Sequence, residues 1–404
     1  MSISNLDDYR WLVSNRAADW LDRAASRQTT LVAIARQLRA GLTSERVHLV
    51  LEQAVLRRRG RDKFSSANRM FFTPLGLEQA SDERTAAYKA ARFPPAATVA
   101  DLCCGIGGDL MALAARGPAI GADRNPVVAL FAAANCHAAR HTTADVHTCD
   151  VRHVRLEHYA AWHLDPDRRP EGRRTTRIDR YEPAIDAIRQ FLEACHDSAV
   201  KLAPAAEVPH EWARRAELEW IGHSRRCKQL VAWFGNLARH PGRRSATVLS
   251  RGSEPPRRVI GLPNVEIPVA PSVDRYLFEP HAAVLAAKLA GTLATEYALS
   301  AVAPGIGYLT GDRPLSDRAL AAFRVTDVLP LDLKRVKELL RRRGIGRLEV
   351  KKRGVPHDPE QIRKKLRVAG EKSATLMIAR LGDAVTAILT ERLPEPELLR
   401  EPYR

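Results

Sequence analysis

Through the first part of the chain, apolar residues recur at three- and four-residue steps, as in NRAADWLDRAASR (15–27) and LTSERVHLVLEQAVLRRRG (42–60). Side chains at those spacings share one helix face, so residues 1–95 are expected to form an N-terminal helical domain. From 96 to 275 the rhythm changes. Short apolar runs alternate with helical stretches: ATVADLCC before DLMALAARG, PAIGAD before PVVALFAAANCHAAR, then TADVHTCD, AAWHLDP, SAVKLAP, AELEWIG and SATVLS. Strands alternating with helices predict a doubly wound, mostly parallel α/β sheet.

Residues 276–321 read as a mainly helical connector. A third rhythm occupies 322–394: strand RVTDVLPL, helix LKRVKELLRRRG, strand RLEVKKRG, helix DPEQIRKKLRV, then strands ATLMIARLG and AVTAILTERL. That pattern predicts a small α+β domain.

Charge narrows the partners. The 404 residues are 45% hydrophobic, enough for real cores, and carry a formal net charge of +17. Such a balance favours a polyanion, nucleic acid or an acidic membrane surface, over a merely basic soluble enzyme. The stretch 281–304 carries Lys288 and Glu296 and makes a poor membrane span. The six cysteines contain no C-x-x-C pair, and Cys103 and Cys104 are adjacent, so neither a metal centre nor a disulfide framework is expected. The N-terminus lacks a basic-then-apolar leader pattern, and the expectation is a cytoplasmic protein without membrane or metal. Nothing in the pattern specifies an oligomeric state.

Candidate chemistry begins at DLCCGIGGDL, where the first strand meets the next helix. Gly105, Gly107 and Gly108 permit close backbone approach and positive φ at a helix N-terminus, with Asp101 and Cys103 in the same turn. Asp123 ends the second strand, where an acid meets ribose hydroxyls, and Asp150 ends the third, where it suits an adenine amino group. Asp123 also suits capping of the helix that follows. Asp109 at the helix start repels a pyrophosphate but tolerates a sulfonium cofactor with an amino-acid group, which favours S-adenosyl-L-methionine over a dinucleotide.

DLCCGIGGDL, IGADRNPVVALFAAANC and HTCD resemble motifs I, II and III of class I S-adenosylmethionine-dependent methyltransferases. More narrowly, DKFSSANRMFFTPLGLEQAS, LDPDRRP, VKLAP, WFGNLA, YLFEP and VLPLDLKRVKELLRRRGIGRLEVKKRGV make the chain similar to bacterial methyltransferases with a C-terminal THUMP-like domain, over about residues 60–393. The resemblance implies a Rossmann-like methyltransferase sheet over 96–275, a basic THUMP-like domain over 322–394 and S-adenosylmethionine as cofactor. It also implies that Phe72 and Thr73 belong to a segment covering the cofactor. Core packing is the competing reading for the phenylalanine.

In such enzymes the loop after the fourth strand faces the methyl group, and here it reads LDPDRR. Asp165 and the Pro166 carbonyl are candidates to accept the hydrogens of an exocyclic amine. Asp167 and Arg168 replace the proline and the aromatic of the amine-methylating pattern, so an oxygen or ring-nitrogen acceptor with Asp165 or Asp167 as general base stays open. Arg168, Arg169 and Arg173 are candidates to grip phosphate, as are Lys351, Lys352 and Arg353 in the C-terminal domain. RNA, as tRNA or rRNA, is the expected partner. The alternatives are methylation of a small molecule or protein, and a non-catalytic RNA-binding protein with a relic cofactor site.

Overall fold

The structure, a computed structural model, describes residues 5–25, 31–168, 175–252 and 254–394. The chain forms two compact units: Met1–Glu217 with Leu230–Gly242, and Leu218–Gln229 with Arg243–Arg404.

The first unit starts with helices α1 (Leu6–Val13), α2 (Ala18–Ala25), α3 (Leu31–Arg39), α4 (Ser44–Gly60), α5 (Pro74–Gln79) and α6 (Glu83–Ala90). Side chains start several of them: Thr43 accepts from the Arg46 N–H, Thr73 from Gly76 and Asp82 from Thr85. There follow β1 (Val99–Leu102), α7 (Gly108–Ala114), β2 (Ala119–Asp123), α8 (Pro126–Ala138), β3 (Ala144–Thr148), β4 (Ala161–Leu164), α9 (Ile185–Ala194), β5 (Ser198–Leu202) and α10 (His210–Arg215). Next come β6 (Glu217–His223) and β7 (Arg226–Phe234), of which Leu230–Phe234 completes the sheet of this unit.

Strand order in that sheet is β3-β2-β1-β4-β5-β7. β1 pairs in parallel with β2 and β4, and so do β2 with β3 and β4 with β5. The chain walks outward from β1 to β3, then returns to the other side of β1. Beyond the carboxyl ends of β1 and β4 lies the switch point at which open α/β sheets hold ligands. β1, β4 and β5 are buried along their whole lengths, as parallel strands covered on both faces should be. The antiparallel strand β7 escaped the sequence reading because RCKQLVAWF opens with basic and polar residues.

In the second unit, β6 pairs in parallel with β8 (Arg244–Val248), which pairs antiparallel with β9 (Arg257–Gly261). The sixth and seventh expected strands therefore fall in this unit. A seven-stranded sheet holds β10 (Tyr276–Pro280), β11 (Ser300–Ala301), β12 (Leu309–Gly311), β13 (Leu320–Pro330), β14 (Ile345–Arg353), β15 (Lys372–Leu381) and β16 (Ala384–Arg392), in the order β11-β12-β10-β13-β16-β15-β14. Helices α11 (Ala282–Ala287) and α12 (Ala290–Tyr297) lie between β10 and β11, α13 (Leu333–Arg343) before β14 and α14 (Pro359–Leu366) before β15. The expectation of a mainly helical connector over 276–321 is corrected: it contributes strands β10, β11 and β12 and the start of β13 as well as two helices. The apolar run in YLFEP is too short for its period to separate strand from helix.

Alternation along β15 divides the apolar side chains of this sheet between two clusters. Leu376 and Ile378 pack with Val336, Leu339 and Leu340 of α13 and Ile362 and Leu366 of α14, whereas Met377 packs with Leu277, Tyr308, Phe323 and Ile388. Gly344, at φ 68°, closes α13 in the left-handed conformation expected of a glycine C-cap.

Candidate active site

At the switch point, residues of β1, the turn after it, the ends of β2 and β4, and the segment around α5 enclose a crevice of about 420 Å³. Asp101, Cys103, Gly105, Gly108, Asp123, Asp150, Thr73, Asp165, Pro166, Asp167 and Arg168 all line it. Phe72 does not: its ring is buried against Gly60 and Phe64, and its backbone exchanges two hydrogen bonds with the Gln53 amide. The core-packing reading therefore describes this phenylalanine. Arg169 and Arg173 lie outside the described residues.

The glycines serve different purposes. A Cβ at Gly105 (φ 57°) would have no atom within 4 Å. A Cβ at Gly107 (φ 86°) would stand 3.3 Å from the Ala132 backbone of α8, so this glycine is needed for packing the turn rather than for lining the crevice. Cys103 takes φ 54° without being glycine, a local strain of the kind concentrated at functional sites. Burial, with Asp123 and Asp165 nearby, pushes its thiol well above the ordinary value, which is unfavourable for a thiolate nucleophile.

Asp123 does not cap α8; Asn125 does, accepting from the Val127 and Val128 N–H groups. The Asp123 carboxylate instead accepts from the Gly105 N–H at 3.0 Å and the Asn125 N–H at 2.9 Å, tying the end of β2 to the glycine turn. Burial raises its pKa against those two bonds. Asp150 accepts from the Arg152 backbone N–H at 2.9 Å and from its guanidinium at 2.6 Å, and the Arg152 side-chain bond holds its carboxyl down to about 2.

Below the crevice runs a buried polar chain absent from the sequence reading. Asp101 and His163 face each other across β1 and β4, with Asp101 Oδ1 2.7 Å from His163 Nδ1. His163 Nε2 is 3.1 Å from Lys89 Nζ, which pairs with Asp109 at 2.8 Å. Ser81 donates to the other Asp109 oxygen at 2.8 Å. Burial alone would raise the Asp109 carboxyl, but the charges of Lys89, His163 and Lys201 outweigh it and hold that group far below its ordinary value. In Lys89 burial wins and lowers the ammonium. Burial raises Asp101, whose Oδ2 is buried at the crevice and accepts no hydrogen bond among the described residues. Such an atom is costly unless a donor comes to it.

On the far wall, Lys201 donates to Asp165 Oδ2 at 2.6 Å and to the Gln79 carbonyl at 3.2 Å. The lysine side chain is 5% exposed and the aspartate 22%, so the pair is sheltered but opens on the crevice. The Asp165 N–H donates to Leu102, fixing the start of the loop to β1. Asp167 exchanges backbone hydrogen bonds with Glu182, and its carboxylate lies 3.4 Å from the Gln79 amide. Lys201 left one signal in the sequence: a lone charge inside the apolar strand SAVKLAP has to be paired when both faces are covered.

The C-terminal basic run is split by its strand. Lys351 and Arg353 turn to Glu279, at 2.6 and 3.5 Å, while Lys352 between them is exposed.

Residues 320–392 match the family described as THUMP domain-like. The chain is 29% identical over 364 residues to a protein described as an uncharacterised S-adenosylmethionine-dependent methyltransferase in two strains of Mycobacterium tuberculosis, covering 87% of this chain and 98% of that protein. Its fold is that of the crystal structure described as a putative methyltransferase from Porphyromonas gingivalis W83, with a TM-score of 0.77, 22% identity, and 98% of this chain and 100% of the other covered. No described helix is long and apolar enough to cross a membrane.

Proposed function

From the premise that this chain belongs with the S-adenosylmethionine-dependent methyltransferases that carry a C-terminal THUMP-like domain, we propose that it methylates a base in structured RNA. The observation that carries this reading is the single crevice that collects the glycine turn, the strand-end acids and Asp165. Its volume of about 420 Å³ falls within the roughly 300–1,000 Å³ range of ligand pockets.

The residues fit this cofactor. Asp101 Oδ2 is a buried acceptor without a donor among the described residues, suited to the ammonium of an amino-acid group. Asp109 lines the crevice behind the turn, but its charge is met by Lys89, so the choice against a pyrophosphate rests on Asp101. Asp123 is the group for the ribose hydroxyls, its carboxylate already fixed by two backbone N–H groups. Asp150, held by Arg152, borders the place of the base, and Thr73 and Gly105 complete the cradle. S-adenosylmethionine supplies an electrophilic methyl group when bound.

The protein's own part is to hold and orient the acceptor. Asp165 and the Pro166 carbonyl accept the two hydrogens of an exocyclic amine, returning electron density to its nitrogen, while Lys201 fixes the Asp165 carboxylate. Asp167 and Arg168 border the acceptor side, and Arg168 offers a planar cation to a base or a phosphate. Much of the rate then comes from alignment of acceptor and methyl group. Lys351, Lys352 and Arg353 bring basic groups to the C-terminal domain, and the formal charge of +17 suits RNA better than a small neutral substrate. If the target base lies in a helix it must be turned out of the stack.

Incubation of the purified chain with labelled S-adenosylmethionine and RNA from a deletion strain, followed by nucleoside mass spectrometry, tests the whole reading. One methylated nucleoside, missing in the deletion strain and restored in vitro, is the expected result. Label in protein or small molecules, with RNA untouched, would replace the acceptor. Gly105→Val should weaken cofactor binding at least about tenfold by placing a branched side chain in the cradle and straining a positive φ. Calorimetry checks it, and unchanged affinity would remove Gly105 from the site.

A further inference from the structure

We propose that the second unit carries a separate site for the terminal phosphate of a nucleotide, in a cavity of about 290 Å³ lined by Arg225, Glu279, His281, Arg318, Lys351 and Arg353 among others. The inference does not rest on the chemistry of the first unit.

Charge is the first argument. Glu279, whose side chain is 12% exposed, faces Lys351 at 2.6 Å and both Arg225 and Arg353 at 3.5 Å, so three cations gather on one carboxylate. Lys351 is also 3.6 Å from Glu349, but Arg392 already bonds that carboxylate at 2.7 Å. Arg318 is paired with Glu254 at 2.6 Å, and Arg251 adds a further cation to the lining. Like charges crowded into a partly sheltered cavity repel unless an anion joins them. A phosphate monoester, carrying close to two negative charges near pH 7, complements the cations gathered on this lining.

His281 supplies an independent argument. Its Nδ1 accepts the Ala283 N–H at 3.1 Å, so in the neutral ring the proton sits on Nε2. Burial, with the charges of Arg225 and His223, pushes the group down to about 4, and the ring is neutral at pH 7. The residue is 8% exposed, and its buried Nε2 has no hydrogen-bond partner among the described residues. A neutral donor among cations calls for an acceptor oxygen, which a phosphate provides.

Size restricts the ligand. A cavity of about 290 Å³, at the lower end of ligand pockets, has room for one phosphorylated nucleotide but not for a duplex. The phosphate therefore comes from the end of an RNA strand or from a free nucleotide.

The test uses the full chain and fluorescence anisotropy with a short oligoribonucleotide carrying either a 5′-phosphate or a 5′-hydroxyl, with AMP and inorganic phosphate as competitors. The 5′-phosphate should tighten binding roughly tenfold, and Arg353→Gln and Arg225→Gln should each erase that difference. Two variants guard against one that misfolds, and circular dichroism identifies it. Competition by AMP at matched concentration assigns the site to a free nucleotide; competition by the phosphorylated strand alone assigns it to an RNA end. Equal binding of both strands without AMP binding, or full phosphate selectivity in both folded variants, overturns the proposal. Methyl transfer measured on the same preparations separates the two readings, because phosphate indifference with RNA methylation intact removes only this one.

Discussion

Asp165→Ala is expected to lower the methyl-transfer rate about 10²- to 10⁴-fold, the range over which a positioned proton acceptor acts, while cofactor affinity stays within about threefold. The carboxylate stands at the end of β4 beside Lys201, on the wall proposed for the acceptor, whereas Asp101, Asp123 and Asp150 line the part of the crevice proposed for the cofactor. Single-turnover rates and equilibrium binding, measured together, check the split. Loss of cofactor binding with the rate at saturation unchanged would place Asp165 on the wrong side. Lys201→Met should share part of the defect, because the lysine fixes the Asp165 carboxylate. Asp165→Asn, which keeps the shape and one acceptor oxygen, should fall between Asp165→Ala and the natural protein.

Lys89→Met should destabilise the first unit by about 3–5 kcal/mol, the cost of leaving a buried carboxylate without its cation. Lys89 and Asp109 meet at 2.8 Å with side-chain exposures of 2% and 9%, so little water is available to replace the lost partner. Removal of both charges, in Lys89→Met with Asp109→Leu, should recover most of that loss, since apolar pairs of similar volume replace buried ion pairs at little cost. Urea denaturation followed by tryptophan fluorescence tests this. The decisive comparison is between the single and double variants. A single variant as stable as the natural protein, or a double variant weaker than the single, would refute the coupling.

The two substitutions also show which parts of the site were legible in the sequence. DLCCGIGGDL, Asp123, Asp150 and LDPDRR could be placed on one edge, because strand–helix alternation puts successive strand ends together. Lys89 and His163 could not, and Lys201 showed only that some partner had to meet it. Their partners lie on other elements, and pairing across β1 and β4 or between a helix and a turn depends on packing that no local pattern encodes. Lys89 sits in ERTAAYKA, which reads as an ordinary helix with an exposed lysine; His163 sits in AAWHLDP, where a buried imidazole and a ligand look alike. Asp109 was judged by its charge alone, although in the fold that charge faces Lys89. Phe72 erred in the other direction, because aromatic residues before a first strand suit a cofactor cover and a core equally well. In the C-terminal domain the strand and helix rhythm was plain, but YLFEP, outside its expected borders, supplies both the adjoining strand β10 and the carboxylate that gathers Lys351 and Arg353.

The crevice draws its walls from segments as far apart as Thr73 and Pro183. A molecule seated there would act as a clasp, fastening helix starts and strand ends that the bare chain must keep together by packing alone. At a free concentration one hundred times its dissociation constant it would add about 2.7 kcal/mol to the resistance of the folded state. The lifetime of the protein in a cell would then track the supply of methyl donor, so that starvation for the donor lowers the amount of enzyme as well as its turnover.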